Sequence, residues 1–210
     1  MIQHAKCKIC RRLGDKLFLK GEKCSSAKCT MIKRPFAPGQ KAKKRRSALS
    51  DFGKEMREKQ RMRKFYGVSE SQFKKYVEQV TTARSGNENV ADELIQKIES
   101  RLDNIIFRLG WCRSRSHASQ LVSHGHFAVN GRKVDIPSYF VSVGDVISIR
   151  SGSRGKDTLK DLDEKMKKYS MPAWLSYDKE KMEGKFVKKP MFGDIQLPAE
   201  IAAIFEHYSR

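Results

Sequence analysis

Four of the five cysteines of the chain lie near the N-terminus, in the pattern Cys7-x2-Cys10-x13-Cys24-x4-Cys29. Each close pair can present two thiolates to one ion, and two pairs complete the tetrahedron that a structural metal site requires. The spacing therefore predicts one zinc ion held by all four thiolates, in a segment too short and too charged to build a core. An iron–sulfur cluster is the second choice, because all-thiolate sites suit both.

Other uses of the same cysteines fit less well. Two disulfides would need an oxidising compartment, and nothing in the sequence indicates one. A redox Cys-x2-Cys needs a single pair within a thioredoxin-like βαβ pattern, which is absent. Basic residues around the cysteines, such as Lys8 and Arg12, favour the thiolate form. Cys112 stands alone beside Trp111 and is interpreted as a packed apolar thiol.

Positive charge is concentrated at the N-terminal end. Lys and Arg number 44 against 24 Asp and Glu, a formal net charge of +20, and residues 1–66 hold 21 of these cations with only 5 acids. Such a charge suits a phosphate backbone. No run approaches the roughly 20 apolar residues of a membrane helix, and the N-terminus lacks a secretory signal. We therefore expect a soluble, intracellular protein that binds a polyanion.

Helical patterns dominate the first half of the chain. A Pro/Gly-rich stretch carries the basic arm Lys41–Arg46, which we expect only a partner to order. Ser50 caps a charged helix that ends near Gly67, and Ser69 opens another with an apolar stripe. One sustained helix is predicted from Leu94 to Gly110.

The second half predicts a short helix from Ser114 to Gly125, then strands joined by an Asn130-Gly131 turn. From Asn104 to Val134 there is no acidic residue. A charged spacer helix, a hairpin near 174–187 and a C-terminal amphipathic helix follow. The C-terminal helix must cover the helices at 51–84.

Residues 100–149 resemble a small RNA-binding domain named after the fourth ribosomal protein of the small subunit. The resemblance rests on RLD at 101–103, His124-Gly125, Val129-Asn130-Gly131 and Val143-Gly144-Asp145. That domain is shared by tRNA synthetases, pseudouridine synthases and a heat-shock factor. LSDFG at 49–53, PAWL at 172–175 and EGKFVKKP at 183–190 are similar to the family of the ribosomal protein itself. The four-cysteine N-terminus resembles its zinc-binding bacterial branch.

The resemblance implies an α+β fold: a mostly helical domain with an N-terminal four-cysteine zinc segment, and an inserted RNA-binding domain of two helices and a small antiparallel sheet. The predicted division is a zinc segment and arm at 1–48, a helical domain at 49–98 completed by 199–209, the RNA-binding domain at 99–161, and a spacer helix with hairpin at 162–198.

The resemblance also implies a role. Family members are structural constituents of the small ribosomal subunit in the cytoplasm, bind its RNA as primary binders and nucleate assembly of the subunit body. They contact the fifth ribosomal protein of the subunit, line the path by which mRNA enters and influence translational accuracy, and some repress translation of their own mRNA.

The candidate RNA-binding residues are cationic or hydrogen-bonding side chains of the arm, the first long helix and the acid-free stretch. They are Lys43, Lys44, Arg45, Arg46, Arg57, Lys59, Arg61, Arg63, Arg108, Arg113, Arg115, His117, Gln120, His124, Asn130, Arg132 and Lys133.

Two other classes compete with this interpretation. An RNA-modifying enzyme would need a separate catalytic domain, but no block of that size remains, and catalytic motifs are absent. A zinc-bearing DNA regulator would present a recognition helix after the cysteines, where this chain has an extended Pro/Gly arm. We therefore expect a binding protein that is not an enzyme.

Overall fold

A computed structural model describes residues 6–39, 48–82, 89–154, 166 and 169–209. The chain divides into two compact units, a helical unit of Met1–Ala91 with Gln196–Arg210 and a mixed unit of Asp92–Ile195. The predicted basic arm at 41–46 and most of the predicted spacer helix fall outside the described residues.

The helices in chain order are α1 Lys6–Leu13, α2 Glu22–Ser25, α3 Thr30–Lys33, α4 Asp51–Tyr66, α5 Glu70–Thr82, α6 Val90–Glu99, α7 Leu102–Arg108, α8 Arg115–Ser123, α9 Ser151–Arg154 and α10 Ile201–Ser209. The strands are β1 Phe127–Val129, β2 Arg132–Lys133, β3 Val146–Ile149, β4 Leu175–Asp178 and β5 Glu183–Phe186. Within the described ranges, none of these helices has the length and apolar character needed to span a bilayer.

Local signals place the long helix α4 where the sequence predicts it. The Ser50 hydroxyl accepts a hydrogen bond from the Gly53 N–H at 3.2 Å, which caps the first turn. Gly67 ends the helix in the left-handed conformation, with φ of 72°, a conformation that costs glycine little. At the start of α5 the Ser69 hydroxyl accepts from the Gln72 N–H at 3.3 Å.

The core of the helical unit lies between α4, α5 and α10. The predicted α5 stripe of Phe73, Tyr76, Val77 and Val80 is buried. Helix α10 packs against α4 and α5 and buries Ile201 and Ile204, as predicted for the C-terminal helix.

The N-terminal segment builds a small core of its own. Cys10, Leu13 and Leu17 are buried together, with partly buried apolar neighbours Ile9, Leu19, Met31 and, from α4, Phe65. The Arg57 guanidinium donates to the Leu13 carbonyl from Nε at 3.0 Å and from Nη2 at 2.7 Å. These contacts fasten α1 to α4.

The mixed unit differs from the prediction of one helix between Leu94 and Gly110. The helix breaks at Arg101, whose ψ of 137° is extended, and continues as α7. The backbone of this break pairs with a loop, because Arg101 bridges to Phe140 and the Leu102 N–H donates to the Tyr139 carbonyl at 2.8 Å. The apolar seam continues across the break, so periodicity alone could not locate it.

Among the described residues, five antiparallel strands form one sheet in the order β2-β1-β3-β5-β4. Asn130 and Gly131 join β1 to β2 with φ of 49° and 77°, the two positive values that a tight hairpin turn requires. The predicted hairpin near 174–187 is present as β4 and β5. It extends the sheet, with Ile147 of β3 opposite Gly184 of β5.

One face of this sheet packs against α7 and α8. Trp111 stacks on Phe127 with ring centroids 5.8 Å apart, and Leu109 is fully buried against Gly184. Cys112 is buried in the same core, as the interpretation of a packed thiol requires.

We expect Gly184→Ala to destabilise the mixed unit. A Cβ at position 184 would lie 2.5 Å from Leu109 Cδ1, and Leu109 is itself fully buried. Overpacking of this kind costs about 1–3 kcal/mol of unfolding free energy. Gly193→Ala is the matched control, because a Cβ there meets nothing within 4 Å. Urea unfolding would measure both, and equal stabilities would contradict the packing described.

Candidate nucleic-acid interface

The four N-terminal cysteines surround one small cavity but do not form a metal site. Cys10, Cys24 and Cys29 are buried and Cys7 is half-buried. Across the described ranges, which include all five cysteines, no group of three or more His, Cys, Asp or Glu side chains is placed to hold a metal ion, and no cysteine forms a disulfide. The predicted zinc ion at Cys7, Cys10, Cys24 and Cys29 is therefore wrong, and so is the iron–sulfur alternative.

The physical reason lies in the packing of this segment. Zinc was expected from the cysteine spacing and was taken to replace a core in this segment, but Cys10 packs as an apolar residue with Leu13 and Leu17. Burial raises the pKa of the Cys10 thiol. A backbone hydrogen bond from Leu17 opposes this, and the nearby Cys24, Cys7 and Cys29 reinforce it. These effects work against the thiolate form that the flanking cations were expected to favour.

An exposed surface with several cations covers α8 and the β1–β2 hairpin, and Asp135 at its edge lies 3.4 Å from Lys133. The Ser114 hydroxyl accepts from the His117 N–H at 3.3 Å and starts α8. The predicted site residues that are exposed here are Arg113, Gln120, His124, Asn130, Arg132 and Lys133. We call the cationic part of this set, Arg113, Arg132 and Lys133, the hairpin–helix surface.

Gly125 brings the end of α8 and the hairpin together. Its φ is 70°, and a Cβ at this position would lie 2.5 Å from Lys133 Cε, so the Lys133 chain passes directly over it. Arg150 donates from Nη1 to the Gly125 carbonyl at 3.0 Å. Arg150 is exposed and was not singled out from the sequence, because it stands outside the acid-free stretch.

Two predicted contact residues, Arg108 and Arg115, are engaged inside the mixed unit. The Glu99 side chain is fully buried, and Arg108 donates to it from Nε at 3.0 Å and from Nη2. The Asn104 amide also donates to Glu99, and its Oδ1 accepts from Arg115 Nε at 2.7 Å. The Arg115 guanidinium lies 4.5 Å from the centroid of the Phe107 ring. This Glu99 network joins α6, α7 and the start of α8.

Neither Glu99 nor Asn104 was expected from the sequence to have a functional or structural role. The available signal was that Glu99 stands four residues after the buried Ile95, on the inward side of α6. A second buried pair is nearby, where Arg101 contacts Asp103 at 3.0 and 2.7 Å. Burial raises the pKa of Asp103, although the Arg101 guanidinium opposes that shift.

Asn130 also has an internal role. Its amide donates to Asp145 Oδ1 at 2.8 Å, and its Oδ1 accepts from the Val146 N–H at 2.9 Å. These bonds fix the hairpin turn to the start of β3. His117 is half-buried on α8.

The candidate cations of α4 are paired within the helical unit. Arg57 binds the Leu13 carbonyl, Lys59 is buried 2.8 Å from Glu70, and Arg63 lies 3.1 Å from Glu70. Arg61 pairs with Asp15 and Glu58. Lys43, Lys44, Arg45 and Arg46 lie outside the described residues.

Family models and known proteins match almost the whole chain. Residues 1–99 match the family model of the ribosomal protein S4/S9 N-terminal domain, and residues 100–147 match the S4 domain. The chain is 46% identical over 206 residues to small ribosomal subunit protein uS4 of Ruminiclostridium cellulolyticum, covering 98% of this chain and 97% of that protein. It is 47% identical over 206 residues to protein uS4A of Clostridium novyi, with the same coverage. Protein uS4 of Thermus thermophilus is 45% identical over 204 residues, covering 97% of this chain and 96% of that protein.

We expect Glu99→Gln to destabilise the mixed unit by about 3–5 kcal/mol, because it leaves the Arg108 charge without its buried counterion. The exposed pair of Lys133 and Asp135, 3.4 Å apart, provides the control, and Asp135→Asn should change stability by less than about 1 kcal/mol. Thermal and urea unfolding measure both variants. A Glu99→Gln protein as stable as the control would show that the network does not hold these helices.

Proposed function

Because the chain belongs to the family of small ribosomal subunit protein uS4, we propose that it is a structural constituent of the small ribosomal subunit and binds ribosomal RNA. The family is structural and non-enzymatic, so the expectation that the chain is not an enzyme is confirmed by its relatives. Neither rival class, the RNA-modifying enzyme or the zinc-bearing DNA regulator, belongs to this family.

The observation that carries the RNA-binding proposal is the hairpin–helix surface within the S4 domain. Arg113, Arg132 and Lys133 are exposed there, while Arg108 and Arg115 satisfy Glu99 and Asn104 below. Folded RNA is recognised largely through shape, phosphates and ribose hydroxyls, which suits a broad cationic surface. Each phosphate neutralised releases counterions and strengthens binding at low salt.

The finer roles are part of the same proposal. We propose that the chain is a primary binder of the RNA, nucleates assembly of the subunit body, and contacts the fifth ribosomal protein of the subunit. We further propose that it lines the path of incoming mRNA, influences accuracy, and acts in the cytoplasm; repression of its own mRNA is a further regulatory role. The net charge of +20 and the family resemblance support these roles.

Among the candidate contacts, we propose that Arg113, Gln120, His124, Arg132 and Lys133 touch RNA directly. The exposed positions of these side chains support that choice, and the Asp135 partner of Lys133 is exposed as well. Arg57, Lys59, Arg61, Arg63, Arg108, Arg115 and Asn130 make internal contacts that a direct RNA contact would have to share. The arm cations Lys43 to Arg46 remain candidates from the sequence.

The double variant Arg113→Ala/Arg132→Ala should weaken binding to small-subunit ribosomal RNA and flatten its salt dependence. Loss of two phosphate contacts makes the negative slope of log K against log salt shallower by about 2. Arg115 is left unchanged, because its removal would disturb Asn104 and the fold. Filter binding over a salt series measures the slope.

The matched control is Lys179→Ala/Lys189→Ala, which removes two exposed charges from the mixed unit outside the acid-free stretch. Its slope should stay close to that of the unaltered protein. Equal slopes for both double variants would remove the hairpin–helix surface from the RNA contact.

A further inference from the structure

A basic cleft lies between α1 and α4 of the helical unit. None of its lining residues belongs to the hairpin–helix surface. Its volume is about 450 Å³, within the range of cavities that hold small-molecule ligands and larger than one phosphate group needs. Four cations line it: Lys8 and Arg12 from α1, Arg63 and Lys64 from α4. Apolar contact surface comes from Ile9 and Leu13.

Two of these cations, Lys8 and Arg12, have no side-chain counterion in the described part of the helical unit. Arg63 lies 3.1 Å from Glu70 and donates to the Gln60 amide at 2.7 Å. Lys8, Arg12 and Lys64 make no hydrogen bond or ion pair among the described residues. Burial, and then repulsion by Arg63, lower the pKa of Lys64, and attraction by Glu70 opposes that shift only in part.

A concave surface with several unpaired cations attracts an anion, because the ligand charge removes their mutual repulsion. The apolar side adds a second requirement. Ile9 is half-buried and Leu13 is buried at the edge of the Cys10 cluster, so together they form a wall that no phosphate would contact favourably. A ligand that suits both sides has a phosphate at one end and a flat, weakly polar body at the other.

A nucleotide unstacked from an RNA chain has this combination. Proteins that bind non-helical RNA take splayed bases against apolar side chains and arginine planes while cations hold the backbone. We propose that the cleft takes one extruded nucleotide of ribosomal RNA, with its phosphate at Lys8, Arg12 and Lys64 and its base against Ile9 and Leu13. The inference rests on the proposed RNA-binding function and adds a second contact on the helical unit.

The test compares two variants that lose the same charge. Arg12→Met/Lys64→Met removes two cleft cations but keeps their aliphatic length. Lys23→Met/Lys75→Met removes two exposed cations of the same unit that do not line the cleft. Each full-length protein is bound to small-subunit ribosomal RNA, the affinity is measured over a salt series, and every base is probed with dimethyl sulfate and carbodiimide.

The expected result has two parts. Relative to the control, the cleft variant should bind with a salt slope that is shallower by about 2, which is about 1 for each phosphate-contacting cation that is removed. At least one base that the unaltered protein and the control protect from modification should become reactive with the cleft variant. Equal slopes and identical base protection for the two variants would overturn the inference.

A free nucleotide is the other source of this ligand chemistry, and equilibrium dialysis with radiolabelled adenosine and guanosine monophosphates separates the two. Binding of a monophosphate that the cleft variant abolishes, combined with unchanged RNA affinity and protection, would assign the cleft to a free nucleotide and overturn the RNA assignment. If the unaltered protein fails to bind ribosomal RNA, the proposed function itself fails. If the unaltered protein binds ribosomal RNA but the cleft variant matches the control in salt slope and base protection, the inference alone fails.

Discussion

The buried carboxylate of Glu99 is the constraint on which the candidate RNA surface depends. The stretch from Asn104 to Val134 contains no acid, so its internal cations need a counterion from elsewhere. Glu99 supplies it from α6 by accepting from Arg108 and Asn104, and Asn104 in turn accepts from Arg115. A buried ion pair is costly to desolvate and is repaid only when its remaining hydrogen-bonding groups are satisfied. Both Glu99 oxygens accept hydrogen bonds here, and the network ties α7 and the start of α8 to the end of α6.

The described cations therefore differ in function, because some hold the fold together and others stay exposed to a partner. Arg57 and Arg61 hold the N-terminal segment to α4 through the Leu13 carbonyl and Asp15. Arg113, Arg132 and Lys133 stay exposed, where phosphates can reach them. A net charge of +20 thus indicates the class of partner but does not count the contacts. Alanine substitution of a structural cation would lower RNA affinity through loss of fold, which explains why matched controls are needed.

Local chemistry explains what could be predicted from the sequence. The Ser50 cap, the Gly67 end, the α5 stripe and the Asn130-Gly131 turn each depend on residues a few positions apart. The break at Arg101 and the addition of β5 to β3 depend on partners far along the chain, so periodicity did not reveal them. The zinc prediction failed for a related reason. Cysteine spacing permits a tetrahedron, but it does not determine how the folded segment places the four thiols, and in the described residues they do not form a metal site.

The central claim is that this chain is a working part of the small ribosomal subunit. Sedimentation of a cell lysate through a sucrose gradient tests it most directly, with the tagged full-length chain followed by immunoblot at low and moderate salt. The account predicts that the chain travels with the small subunit and with assembled ribosomes, and is released to the top of the gradient only at high salt. A chain found at the top of the gradient at low salt, or one that travels with the large subunit, would contradict it.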